Sequence, residues 1–247
     1  MVLVGTLWVI FSGAVIYGSM TWLLHLADSE KTAPGIKSKR NLPAGLALGN
    51  AVVVTAVCEL ERKLGAFAGE YLSFRMGAEG ILLSLLAGGL LAAACMDAEN
   101  CYVYNYVWWW CLLWTGILLV FPAGGQYTDG GLWRSTDGIC IRQAAAVLVF
   151  IVLQQCLFAR MYGRADSHAF SVCALISCRW KAGMLWFLLH MLSAVTLLAV
   201  IQLWKGNVTR GGKLRTPQPF IPYIIITFWG EILWMLCLRG GLTHIYA

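Results

Sequence analysis

The chain has 247 residues, 60% of them hydrophobic and only 12% charged, with a mean hydropathy of +0.71. A water-soluble domain of this length could not hide so much apolar surface, so the composition excludes a soluble enzyme or binding module and points to a polytopic membrane protein. The formal net charge of +6 needs no nucleic-acid partner, because basic residues in short loops set membrane topology.

Taken in chain order, the apolar runs predict spans at residues 2–26, 42–58, 80–96, 102–121, 141–161, 168–178, 183–204 and 219–238. The expected fold is an all-α membrane helix bundle of about 6–8 transmembrane helices, most close to the length that a bilayer requires. The first run has no basic leader and no A-x-A cleavage site, and it reads as a retained span. Lys31, Lys37, Lys39 and Arg40 follow it as a topology signal and lipid-headgroup contact. The second run is marginal, with Asn50 inside it. In residues 59–79, charges alternate with Leu60, Leu64, Phe67, Tyr71, Leu72 and Phe74 at three- and four-residue spacing. That pattern suits an amphipathic interfacial helix.

The third run ends at Asp97. The fourth carries Trp108, Trp109 and Trp110 a few residues from its start, as an interfacial aromatic belt does. Residues 122–140 are rich in glycine and polar side chains and read as an external loop. The fifth run leads, across a short polar stretch, to Asp166. The sixth is too short to cross a bilayer unaided, and the last contains Glu231, read as a packed or hydrogen-bonded structural residue. The nine cysteines form no C-x-x-C pair and read as small buried hydrophobes rather than a zinc site. No internal repeat is visible. The expected division is 1–79 as N-terminal helices and interfacial segment, 80–238 as a core, and 239–247 as a tail.

Lysine and arginine set the expected orientation. With the N-terminus outside, ten of the eighteen fall inside, in 27–41, 97–101, 162–167 and 205–218 with Arg160 at an edge. This places Asp97 and Asp166 on the same, cytoplasmic side. A charged group near hydrocarbon costs roughly 2.5–3.5 kcal/mol even on the lenient insertion scale. Two carboxyls that meet there can share a proton and hold a water, as in aspartic proteases. The competing structural reading is two acids that cap helices or pair with Arg160 or Arg164.

Three short segments carry the chemistry. Asp97 stands eight residues before Asn105, in Val103-Tyr104-Asn105. Gly163-Arg164-Ala165-Asp166 follows, with small residues ahead of the acid. Pro217-Gln218-Pro219-Phe220-Ile221-Pro222-Tyr223 opens the last run, where prolines fix an extended entry. In these segments the chain resembles the type IV prepilin peptidase family, membrane aspartic proteases of the G-x-G-D type, over roughly residues 80–238. Tyr104 stands where the family has proline, Ala165 where it has a second glycine, and Ser167-His168 where Val-Lys is usual.

The resemblance implies a membrane aspartic endopeptidase with Asp97 and Asp166 as the catalytic pair. Gly163, Ala165, Asn105 and His168 are the expected substrate-binding or supporting residues, with no metal or cofactor. The implied substrate is a prepilin or pseudopilin with a short basic leader, and the implied setting is a multi-pass protein of the cell membrane with its acids toward the cytoplasm. It would serve a type IV pilus or protein secretion, in a peptidase-only form, since nothing matches the paired C-x-x-C methyltransferase part. Two other functions compete. In an ion- or proton-coupled transporter, Asp97, Asp166 and Glu231 would relay charge. A catalytically silent homologue would assist assembly only. A presenilin-like protease would want a Pro-Ala-Leu segment, which the chain lacks.

Overall fold

The computed structural model describes residues 2–30, 42–65, 72–120, 139–180, 183–205 and 218–245. Among them are eight α-helices and no strand: α1 (Val2–Glu30), α2 (Leu42–Gly65), α3 (Leu72–Asn100), α4 (Asn105–Val120), α5 (Ile139–Cys156), α6 (Arg164–Ser177), α7 (Met184–Trp204) and α8 (Ile221–Ile245). An all-α membrane helix bundle is therefore the fold, as the apolar runs predict. Hydrocarbon offers no partner to a backbone N–H or C=O, so a long apolar segment has to satisfy those groups within itself. Six helices, α1, α2, α3, α5, α7 and α8, are long and apolar enough to cross a bilayer. The basic cluster expected at 31–40 lies outside the described residues, as do Pro217 and all of the glycine-rich loop expected at 122–140 except Ile139 and Cys140, which already belong to α5.

Several boundaries differ from the sequence expectation. Residues 59–79 form no separate interfacial helix: α2 continues to Gly65 and α3 begins at Leu72, and residues 66–71 lie outside the described ones. The fifth apolar run is not one helix either. α5 stops at Cys156 and passes into a 3-10 turn at Phe158–Arg160. The expected boundary at 79/80 falls within α3.

The chain divides into two units, one of Met1–Ala92, Tyr104–Arg134 and Ile232–Ala247, the other of Ala93–Val103 and Ser135–Glu231. In the first, small residues let helices approach closely. A Cβ on Gly88 of α3 would collide with the Ser19 hydroxyl of α1, and one on Gly89 would stand 2.6 Å from the Trp110 ring of α4. Trp110 thereby reaches the backbone of α3 and donates its indole N–H to Leu85 O at 3.0 Å. Trp108 is buried and Trp109 exposed, so the three consecutive indoles face three different surroundings.

The second unit is centred on α6. This helix has few strongly apolar positions, yet nearly all of it is buried, including Asp166, Ser167, Ser171 and Ser177. Serine hydroxyls return their bonds to the helix itself: Ser171 to Ser167 O and Ser177 to Cys173 O, each at 2.7 Å. Aromatic rings pack around it. Phe170 meets Tyr162, His190 and Phe220 edge-on, with centroids 5.3–5.8 Å apart. Pairs of this geometry contribute about 0.5–1.5 kcal/mol each beyond area burial.

Candidate active site

Both aspartates belong to the second unit, and each sits where a helix begins or ends. Asp97 lies in the last turn of α3, three residues before its end at Asn100. The next residue, Cys101, has φ +50°, and its N–H bonds Asp97 O at 2.8 Å. A left-handed residue after the last turn is a common way to end a helix, although glycine is the usual occupant. The chain turns there, and the Asp97 side chain remains buried, 6% exposed.

Asp166 is the third residue of α6, which begins four residues earlier than the sequence pattern suggests. Gly163 caps that helix with φ +123° and ψ 157°, a conformation that side-chain-bearing residues rarely adopt. A Cβ there would also stand 3.3 Å from Asp166 Oδ2. The Gly163 carbonyl accepts both the N–H of Ser167 (3.2 Å) and its hydroxyl (3.1 Å), which closes the first turn around the acid. Asp166 is 7% exposed, and its Oδ1 has no hydrogen-bond partner among the described residues.

The third segment supplies a backbone amide. Phe220 precedes α8, and the Ile221 N–H, first in the helix, donates to Asp97 Oδ2 at 3.0 Å. The first N–H groups of a helix have no partner within it, and they carry the positive end of its dipole. Asp97 thus caps α8 from another helix.

Burial and the neighbouring Asp97 charge push Asp166 from 3.8 up to about 8. The first turn of a helix should favour the charged form by about 0.3–1 kcal/mol. A rise of this size is worth several times that, at roughly 1.4 kcal/mol per pH unit, so burial and like charge win. The exposed Cys101 thiol is also raised, by desolvation first and then by both Asp97 and Asp166. The Asp97 charge therefore bears on Asp166, and both acids bear on a thiol open to solvent.

Of the remaining sequence-predicted residues, Ala165 is the second residue of α6, and His168 lies one turn further on, with Nδ1 3.4 Å from Gln155 Nε2. Asn105 is exposed at the start of α4, in the other unit. Glu231 accepts the Ser193 hydroxyl, and buried His190 places Nε2 2.9 Å from Ile224 O. No group of three histidine, cysteine, aspartate or glutamate side chains that could hold a metal ion occurs among the described residues.

Sequence reading missed the Ile221 amide, Gln154 and Tyr162. Gln154 is fully buried in α5, and it accepts the Tyr162 hydroxyl while its amide meets Met191 Sδ at 2.9 Å. For Gln154 alone a signal was available: two adjacent glutamines, Gln154 and Gln155, stand inside an apolar run.

The class defined by fold and site is a multi-pass α-helical membrane protein with a buried pair of interacting carboxyls. Comparison with protein-family models, with curated proteins and with solved structures finds no match to any part of the chain.

Proposed function

We propose that the protein is a membrane aspartic endopeptidase that removes the short basic leader of type IV prepilins or pseudopilins at the cytoplasmic face of the cell membrane. One observation carries this reading. Both aspartates and the Phe220–Ile221 turn of the proline-rich segment lie in one unit, while Tyr104 and Asn105 fall in the other: Asp97 accepts a hydrogen bond from the Ile221 amide, and its charge helps to raise Asp166.

The chemistry follows from the different surroundings of the two carboxyls. Asp97 has a backbone N–H that its ionised form can accept. Asp166 keeps its proton to about pH 8. Asp97 draws a proton from a water between them, and Asp166 donates a hydrogen bond to the scissile carbonyl and stabilises the developing oxyanion. The unpartnered Asp166 Oδ1 is available to such a water or carbonyl. The leader stays at the aqueous surface while the apolar part of the substrate lies in the bilayer, so the bond to be cut falls at the boundary.

The test is co-expression with a prepilin bearing a short basic leader, with leader removal followed by gel shift. Wild type should cleave; Asp97→Asn and Asp166→Asn should insert normally and not cleave. Cleavage by both variants at the wild-type rate would refute the reading, as would an inert wild type against several prepilins.

A further inference from the structure

We propose that Tyr162 is a positioning residue for the acid pair, tying the first turn of α6, which carries Asp166, to α5 and to the Phe220–Ile221 turn that holds Asp97. Its catalytic consequence rests on the peptidase reading; the tie itself does not.

Tyr162 sits between the 3-10 turn at Phe158–Arg160 and Gly163. Its hydroxyl donates to Gln154 Oε1 of α5. Its ring stacks on Phe158 at 6.0 Å and meets Phe170 at 5.7 Å and Phe220 at 5.9 Å edge-on. Phe220 in turn precedes the amide that bonds Asp97. One side chain therefore touches α5, α6 and the segment that begins α8. Gln154 is the counterpart: a fully buried amide in a helix apolar enough to span a bilayer, its carbonyl oxygen spent on this phenol. An unbonded amide there would be costly, so the phenol satisfies a group that the apolar helix could not. Gly163 between Tyr162 and α6 supplies the turn that brings phenol and carboxyl to the same end of α6. Burial and the Asp166 charge raise the phenol above its ordinary range, so it stays neutral and acts as a hydrogen-bond donor.

The expected sign is set by water. Loosening the tie admits solvent to Asp166 and lowers its desolvation, which is the main cause of its raised titration. The titratable and charged groups around Asp166 are Asp97 of α3, Tyr162, Cys101, and Arg164 and His168 on α6 itself. Asp166 titration can be followed by infrared difference spectroscopy on the full chain in lipid discs, its band identified by loss in Asp166→Asn. Tyr162→Phe and Gln154→Met should each lower the midpoint by a unit or more, and the double variant no further, because both cut the same bond. Ser193→Ala, whose hydroxyl bonds Glu231 instead, should leave it in place. On a cleaved prepilin, kcat should fall tenfold or more with KM within twofold. An unmoved midpoint in Tyr162→Phe and Gln154→Met overturns the proposal, as does an equal shift in Ser193→Ala or additivity in the double variant. If Tyr162→Phe does not fold, Gln154→Met alone decides. A shifted midpoint in a chain that cleaves nothing refutes the peptidase reading and leaves the tie standing; cleavage with an unmoved midpoint does the reverse.

Discussion

Asp166 keeps its proton to about pH 8 because it is buried beside a second carboxylate. Its folded-state value lies above the ordinary 3.8, so between those limits the folded chain holds a proton that the unfolded chain has released. Stability from this group is therefore intact below about pH 4 and falls as pH rises toward 8. Asp166→Asn removes that cost: its thermal midpoint should exceed that of wild type at pH 8.5 and match it at pH 4, by scanning fluorimetry in detergent. Equal gains at both would show an ordinary carboxyl. If Asp166 is also the acid that donates to the scissile carbonyl, cleavage should fail as pH rises through about 8. Gly163 is the other sensitive position. Its φ of +123° and the 3.3 Å from a would-be Cβ to Asp166 Oδ2 both oppose a side chain. Gly163→Ala should cost about 1–3 kcal/mol, and leader cleavage should drop roughly tenfold or more. Ala165 is different. It lies inside α6 with no need of a positive φ, and alanine is the strongest helix former there, so the departure from a second glycine is physically mild.

At the scale of the helix, Asp97 has two duties that a substitution can separate. It caps α8 through the Ile221 N–H, and Pro222, next in that helix, has no N–H to satisfy. Asp97→Asn keeps an oxygen for the Ile221 amide and should abolish cleavage with little loss of stability. Asp97→Ala removes the cap and should cost a further ~0.5–2 kcal/mol. Thermal midpoints of the two variants check this; equal midpoints would mean that the cap contributes nothing. The long spans were legible because an apolar run of some twenty residues in hydrocarbon has little choice but a helix. The acids stood out because each is costly at such a place. The start of α6 was not legible. Residues 164–167 are mostly polar and carry no apolar periodicity, and they are helical because Asp166 and Ser167 are buried in protein rather than turned toward lipid. The break at 157–160 was hidden for a related reason: Leu157 and Phe158 continue the apolar run, although the helix has ended. Tyr162 and the Ile221 amide were beyond reach because their roles depend on which elements converge, a backbone amide having no sequence signature at all.

At the scale of the whole chain, the hydrogen bond from Ile221 to Asp97 requires the end of α3 and the start of α8 to lie on one side of the membrane. The interaction of Asp97 with Asp166 brings the start of α6 to that side as well. The exposed Arg164 and Lys205 accompany these ends, at the start of α6 and just after α7. Basic residues gather on the cytoplasmic side, so these two, with the proposed substrate, predict that the acids face inward. Cys101 makes this measurable: it is exposed, it follows the last turn of α3, and its thiol responds to both carboxylates. With Cys140, Cys156 and Cys237 replaced by serine, a membrane-impermeant maleimide should label the chain in inside-out vesicles and not in intact cells. Labelling should also quicken in Asp97→Asn, because removing a negative charge beside the thiol favours the thiolate that reacts. Faster labelling in the variant, but only from outside the cell, would keep the acid cluster and reverse the orientation. A leader cleaved in the cytoplasm would then be out of reach of Asp97 and Asp166, and the proposed substrate would have to be given up even with the carboxyl pair intact.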